Sequence, residues 1–127
     1  MRRCFILQQK ECRIYAASGV SQTPTKYNRK KELHHIVAKR AWRAEPARAV
    51  LQSAGLTPEY HENLIYLKTG LHRRLHNTLY YEWINYEMES ISVMFDEGTL
   101  KENKAKVDLK LNEIRVVLEG WDASSPF

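Results

Sequence analysis

The apolar and polar positions of the first two thirds of the chain predict two short strands with a helix between them. "ELHHIV", residues 32–37, is a short apolar run that ends in β-branched residues, and "NLIYL", residues 63–67, has a strand-like composition as well. The intervening "RAWRAEPARAVLQSAG" predicts a helix. Pro46 fits its first turn, where the missing N–H costs nothing, and Gly55 fits its C-terminal cap.

The remaining apolar positions repeat at helical spacing. One long helix is predicted from about residue 71 to about residue 95, on the apolar positions Leu71, Leu75, Leu79, Ile84, Met88, Ile91 and Phe95. Thr99 and Glu102 have the form of a capping box and predict the start of another helix, which is expected to stop at Gly120. Its apolar stripe consists of Val107, Leu111, Ile114 and Leu118. The pattern therefore predicts an α+β protein with a mostly helical C-terminal half.

A chain of 127 residues is the size of one domain, and three segments are predicted within it. Residues 1–31 form a basic N-terminal extension with two short strands in "CFILQ" and "CRIYA". Residues 32–95 form the core, and residues 96–127 supply an amphipathic helix and a tail that pack on it. No apolar run reaches the 18 or more residues that span a bilayer, so no membrane partner is predicted.

Positive charge is concentrated in the first part of the sequence. Residues 1–48 contain 12 Lys and Arg but 3 Asp and Glu. Residues 49–127 contain 8 Lys and Arg and 12 Asp and Glu. This polarity indicates a basic face for a polyanion, although an unevenly charged solubilising surface would look the same. Candidate phosphate contacts are Arg29, Lys30, Lys31, Lys39, Arg40, Arg43, Arg73 and Arg74.

Four of the five histidines fall into two groups. His34 and His35 are adjacent at the end of a predicted strand, where neighbouring side chains point to opposite sides. His72 and His76 are four residues apart, a spacing that on a helix lets both imidazoles reach one ion. The metalloprotease motif requires Glu directly after the first histidine of such a pair, and Arg73 stands there instead. Without other support, a pair at this spacing is better interpreted as exposed or hydrogen-bonded histidines than as metal ligands.

The order of these motifs resembles a known nuclease family. A strand with two histidines, a strand headed by Asn63, and a helix with two histidines follow one another as in the HNH nucleases, whose core is called the ββα-metal fold. "HHIVAK" and "ENLIYLKTGLHRRLHNTLYYEWI" resemble the AHH branch of the HNH/endonuclease VII superfamily, which often occurs as toxin domains in bacterial competition systems. Leu33 occupies the place of the Ala that names this branch. The resemblance implies a hairpin-plus-helix core surrounded by additional helices.

The resemblance also implies a role for each site residue. His34, His72 and His76 would hold one divalent metal ion (zinc, nickel, manganese or magnesium). His35 would be the general base, since an imidazole can accept a proton from water near neutral pH. Asn63 would bond backbone groups across the loop and so hold His35 in its working orientation. The implied reaction is hydrolysis of phosphodiester bonds by a metal-dependent endonuclease.

Two alternatives stay open at this stage. The first is an RNase of the same fold. The second is a non-catalytic nucleic-acid-binding module stabilised by zinc. A closed structural zinc site needs four protein ligands, and only His61, Cys4 or Cys12 could supply the fourth. His61 is otherwise interpreted as a surface histidine.

The predicted partner is nucleic acid, with DNA favoured over RNA. No helix-turn-helix or zinc-finger pattern is present, so low sequence specificity is expected. The toxin resemblance implies a bacterial cytoplasmic protein, or one delivered into a target cell, with an acidic immunity protein that covers the basic half.

Overall fold

The two predicted strands pair as an antiparallel hairpin. In the computed structural model, which describes residues 30–95 and 99–126, β1 spans Lys31–His35 and β2 spans Leu64–Lys68. The register places His34 opposite Ile65, and both of these side chains are buried. Their neighbours along the strands are more exposed, as the alternation of side chains in a strand requires.

The connection between the strands contains the predicted helix. A 3-10 turn at Trp42–Ala44 leads into α1, Glu45–Ser53. Pro46 lies in the first turn of α1, and Gly55, with a φ of 75°, follows its last residues, so both predicted end signals are confirmed. A second 3-10 turn at His61–Asn63 then leads directly into β2.

The single long helix predicted from residue 71 to residue 95 is wrong, because two helices occupy this stretch. These are α2, Thr69–Arg74, and α3, Thr78–Ser92. The break occurs because the Asn77 side chain accepts a hydrogen bond from the backbone N–H of Tyr80 at 2.9 Å and so caps a new helix. His76 consequently lies in the break and does not share a helix with His72.

The last helix, α4, spans Leu100–Ser124 and begins after Thr99 as predicted. All four residues of its predicted apolar stripe are buried. The helix passes through Gly120, however, so the predicted stop is wrong. The Trp121 ring packs 5.3 Å from that of Trp83, and these tertiary contacts outweigh the low helix propensity of glycine.

The end of α4 is anchored to the hairpin. The carboxylate of Asp122 accepts a hydrogen bond from the backbone N–H of Lys68 at 2.7 Å and lies 3.1 Å from the ammonium group of Lys31. Ser125 is also buried. The described part of the segment after residue 120 therefore packs on the core.

The α+β class is confirmed, with one core shared by the hairpin and the four helices. The core's largest fully buried side chains are Trp83, Tyr80, Ile36, Leu51, Leu67, Ile84, Met88, Leu111 and Leu118. Apart from its last two positions, the predicted basic extension of residues 1–31, with its two strands, lies outside the described residues. Within the described ranges, no helix is long and apolar enough to cross a membrane.

Candidate metal centre

Three imidazoles converge at the junction of the hairpin and the helices. His34, His72 and His76 each place one ring nitrogen within 4.8 Å of the others. The ring centroid of His34 lies 5.1 Å from that of His72 and 6.1 Å from that of His76, and the last two are 4.7 Å apart. The sequence motif thus corresponds to one cluster in space.

The short path from β2 into α2 brings this cluster together. α2 begins at Thr69, directly after β2 ends, and packs against both strands. The backbone N–H of Thr69 bonds to the carbonyl of Lys30 at 3.3 Å, which fixes the start of α2 beside β1. His72 in the last turn of α2 then lies next to His34, and the break after α2 turns His76 toward both.

The hydrogen bonds of Tyr80 determine which nitrogen of His34 carries the proton. The Tyr80 hydroxyl lies 2.8 Å from the carbonyl oxygen of Ile36 and 2.8 Å from Nε2 of His34. Its single hydrogen is donated to the carbonyl, which can only accept, so Nε2 of His34 must donate to the hydroxyl oxygen. Nδ1 of neutral His34 therefore keeps a free lone pair. It is buried and has no hydrogen-bond partner among the described residues.

His34 is held in its neutral form. Burial, together with the neighbouring imidazoles of His72, His76 and His35, lowers the pKa of His34 to about 3. An unpartnered lone pair on a buried neutral imidazole costs free energy unless something occupies it. A metal ion is the occupant that this donor would suit, because metals bind the deprotonated nitrogen.

The other two histidines are oriented by similar contacts. Nδ1 of His72 donates to a carboxylate oxygen of Glu32 at 2.8 Å. The lone pair of the neutral ring is therefore on Nε2, where it can bind a metal ion. This hydrogen bond lowers the pKa of Glu32 and keeps its carboxylate charged. Nδ1 of His76 lies 3.3 Å from the Tyr81 hydroxyl, and Nε2 of His76 lies 2.9 Å from Nε2 of His72.

This donor set fits a catalytic metal ion. Three imidazoles with an oriented outer nitrogen each, and coordination positions left for substrate and water, are typical of catalytic zinc sites. Within the described residues, the cluster contains no fourth histidine, cysteine or carboxylate. Cys4 and Cys12, the alternative ligands of a closed structural site, lie outside the described ranges.

His35, the predicted base, lies at the end of β1 beside the cluster. Its Nε2 donates a hydrogen bond to one carboxylate oxygen of Glu59, and the other oxygen lies 3.1 Å from the ammonium group of Lys39. The hydrogen bond from His35 is the main cause that lowers the pKa of Glu59. With Nε2 donating, the lone pair of neutral His35 is on Nδ1.

Asn63 forms hydrogen bonds with two backbone segments, one that follows His35 and one that precedes Glu59. Its side-chain oxygen accepts from the N–H of Val37 at 2.8 Å, and its amide group donates to the carbonyls of Val37 at 3.1 Å and Pro58 at 2.8 Å. Val37 lies two residues after His35, and Pro58 directly precedes Glu59. The fully buried Asn63 amide therefore ties together the two segments that carry the imidazole and its carboxylate partner.

The three clustered histidines and His35 face a cleft of about 430 Å³. Its lining consists of Leu33, His34, His35, Ala38, Lys39, Arg40, Ala41, His72, His76 and Tyr81. Adjacent strand residues normally point to opposite sides, but His34 and His35 both reach this cleft because it lies at the strand end.

The predicted phosphate contacts divide by their surroundings. Lys39 and Arg40 line the cleft, and the guanidinium of Arg43 stacks 4.4 Å from the ring centroid of the adjacent Trp42. Lys31 is engaged by Asp122, while the Arg73 guanidinium lies 3.5 Å from Glu32. Lys30 and Arg74 are exposed, and Arg29 lies outside the described residues.

His61 stays apart from the metal-ligating cluster. Its side chain is 76% exposed and lies 3.2 Å from the carboxylate of Glu62. The interpretation of His61 as a surface histidine agrees with this position.

Four residues that orient the imidazoles were not predicted from the sequence: Glu32, Glu59, Tyr80 and Tyr81. Glu32 had a signal, because residues two apart on a strand face the same side and it precedes His34 by two. Glu59 lies 24 residues from its partner and Tyr80 lies 46 from His34. No local pattern marks contacts over such distances.

Comparison with known proteins agrees with this geometry. A family model matches residues 16–118, which is most of the chain. It describes AHH, a nuclease family of the HNH/ENDO VII superfamily with conserved AHH. No curated protein and no solved structure matches the chain significantly. On the extent of the family match, the chain belongs to the AHH family of nucleases, in the HNH/endonuclease VII superfamily.

Proposed function

We propose that this chain is a metal-dependent endonuclease that hydrolyses phosphodiester bonds, with DNA of little sequence specificity as its substrate. The observation that carries the proposal is the unpartnered Nδ1 of His34, a residue that forms a cluster with His72 and His76. A histidine that served in packing alone would leave this buried atom without a partner, whereas a bound metal ion would occupy it.

His34, His72 and His76 would hold the metal ion through Nδ1, Nε2 and Nε2 respectively. A bound divalent ion supplies Lewis acidity, which stabilises the negative charge that develops on the phosphate and the leaving oxygen. The contribution of the chain is to present three neutral rings in fixed orientations. Tyr80 and Glu32 do this by engaging the outer nitrogens of the first two rings.

His35 would act as the general base through Nδ1. It takes a proton from the attacking water while the water oxygen bonds to phosphorus and the bond from phosphorus to the 3′ oxygen breaks. The leaving oxygen takes up a proton from solvent, so the products are a 5′-phosphate and a 3′-hydroxyl. Glu59 stabilises the imidazolium that forms, because its carboxylate accepts the Nε2 hydrogen.

The hydrogen bonds of Asn63 to the backbone support this base. A base must stay within hydrogen-bonding reach of the proton it abstracts, and small displacements are costly in rate. By bonding Val37 and Pro58, the Asn63 amide limits movement of His35 and Glu59 relative to one another.

Substrate binding would rest on the sugar-phosphate backbone. Lys39 and Arg40 on the wall of the cleft can neutralise phosphates next to the scissile one, a contact that adds affinity without reading sequence. The absence of a base-reading motif in the sequence supports low specificity.

Plasmid nicking tests the proposal. Supercoiled DNA is incubated with wild-type protein, with and without a chelator, and with His35→Ala and His61→Ala. Wild type and His61→Ala are expected to nick the plasmid in a chelator-sensitive manner, because His61 is a histidine outside the cluster. His35→Ala is expected to lose activity by about 100-fold or more while still binding one metal ion per chain.

Two results would contradict the proposal. Cleavage by His35→Ala at the wild-type rate would remove this residue as the base. Metal binding without cleavage by any variant would favour the zinc-stabilised binding module. A parallel digestion of tRNA distinguishes DNA from RNA as the substrate. Faster cleavage of tRNA than of plasmid would show that RNA is the preferred substrate.

A further inference from the structure

An exposed tryptophan directly follows, in the chain, four residues that line the cleft. Trp42 is 72% exposed, whereas Trp83 and Trp121 are almost completely buried. The residue before it, Ala41, lines the cleft together with Arg40. The backbone of Trp42 therefore continues directly from the wall of the cleft along which the substrate backbone would lie.

The backbone that carries Trp42 is held rigidly. One guanidinium nitrogen of Arg48 donates to the carbonyls of Ala38 at 2.8 Å and Ala41 at 2.7 Å. The carbonyl of Ala41 also accepts the backbone N–H of Ala44 at 3.0 Å, which closes the 3-10 turn. An ordered turn thus presents the indole to solvent, and ordering it on binding would cost little conformational entropy.

One cation contacts the indole, and two more precede it in the chain. The Arg43 guanidinium lies 4.4 Å from the ring centroid of Trp42, a cation–π contact that steadies the ring. Lys39 and Arg40 lie between Trp42 and the histidines in sequence, and both line the cleft. An exposed aromatic ring flanked by cations is the combination that binds bases and phosphates of a single nucleic-acid strand.

We propose that Trp42 stacks on an unpaired base of the substrate strand, next to the phosphate held in the cleft. This inference rests on the proposed nuclease function and narrows its substrate to single-stranded or locally unpaired nucleic acid. In an intact duplex both faces of every internal base are covered by neighbouring bases, so the indole has no face to contact. Stacking on a base face is also tolerant of sequence, in keeping with low specificity.

Tryptophan fluorescence of the full chain provides the test. The chain has three tryptophans, and Trp42 is the exposed one, so quenching by an added oligonucleotide reports on Trp42. The His35→Ala protein with zinc is titrated with a single-stranded oligodeoxynucleotide and with the same sequence as a blunt duplex. Strong quenching and tighter binding are expected with the single strand.

Substitutions in the same His35→Ala background make the test specific. Trp42→Ala is expected to weaken single-strand binding, followed by anisotropy of a labelled oligonucleotide, by about 5-fold or more. It should change duplex binding by less than about 2-fold. Trp42→Phe should restore most of the affinity because it keeps an aromatic face. Leu109→Ala, which removes a similarly exposed apolar side chain on α4, should have no effect.

The inference would be overturned if Trp42→Ala bound the single strand as tightly as the protein that keeps Trp42. It would also be overturned if Trp42→Ala lost the same affinity for the single strand and for the duplex. The failure of the nuclease proposal is observed separately, as absence of plasmid nicking by wild type. Because binding is measured in a protein without the catalytic base, each proposal can fail without the other.

Discussion

The hydroxyl of Tyr80 and Nε2 of His34 lie 2.8 Å apart in the core, beneath the histidine cluster. Because Tyr80 donates its hydrogen to the carbonyl of Ile36, this contact fixes the tautomer of His34 and leaves its Nδ1 lone pair free to bind a metal ion. Tyr80, a buried residue of α3, thereby determines which ring nitrogen of His34 on β1 is available to a metal ion.

Removing the Tyr80 hydroxyl should weaken metal binding. In Tyr80→Phe, Nε2 of His34 loses its acceptor, and the ring is no longer held in the tautomer that leaves Nδ1 free. The affinity for zinc is expected to fall by about 10- to 100-fold, measured by competition with a chromogenic chelator. Tyr66→Phe, at an exposed tyrosine of β2, is the control and should bind zinc as wild type does. Unchanged affinity in Tyr80→Phe would show that the tautomer is fixed in another way.

Metal removal should lower thermal stability. A ligand that binds only the folded chain stabilises it by about 2.7 kcal/mol at 100 times its dissociation constant, equivalent to about 10 °C in Tm for a domain of this size. Zinc should therefore raise the Tm of the chelator-stripped protein, as seen by circular dichroism. The increase should disappear in His72→Ala and persist in His61→Ala. An equal increase in both variants would place the ion elsewhere.

Asn63 should matter for both stability and rate. Asn63→Ala removes the side-chain partners of the buried Val37 backbone and of the part-buried Pro58 carbonyl, and is expected to cost about 2–4 kcal/mol in urea unfolding. Below its unfolding transition, the variant should still lose about 10-fold or more in kcat/KM. Asn103→Ala, at a buried asparagine of α4 outside the cleft, serves as the control. If its kcat/KM falls as much as that of Asn63→Ala, the effect is general loss of stability.

Substitution by alanine should change the stability of the protein in opposite directions at Gly55 and Gly120. Gly120 lies within α4, and among the described residues nothing outside its own helix comes within 4 Å of the point that an alanine Cβ would occupy. Gly120→Ala should therefore stabilise the protein by about 0.5–1 kcal/mol. Gly55 has a φ of 75°, and a Cβ there would lie 3.2 Å from the Leu100 side chain. Gly55→Ala should destabilise by about 1–2 kcal/mol. Urea unfolding measures both, and stabilisation by Gly55→Ala would contradict its left-handed cap.

The elements that depend on local patterns could be predicted from the sequence. The hairpin strands, the ends of α1 and the buried stripe of α4 follow from residue type and spacing. The match of "HHIVAK" and the following segments to a family pattern led to the cluster residues His34, His72 and His76.

The errors arose where tertiary contacts or a single cap override the pattern. Leucines at helical spacing run through residues 71–79 and predict one continuous helix. In the structure, however, Asn77 caps a new helix at this point. Gly120 looked like a helix end, but Trp121 and Asp122 are held by Trp83 and Lys68. The contacts of Tyr80 and Glu59 with the histidines depend on the folded arrangement and have no local signature.

A crystal structure of the zinc-loaded protein, with anomalous data at the zinc edge, would decide whether the three imidazoles share one ion. We expect one anomalous peak per chain, about 2.0–2.1 Å from Nδ1 of His34 and from Nε2 of His72 and His76, with His35 unligated. A peak bound to Nε2 of His34, or one located away from these three rings, would contradict the proposed centre.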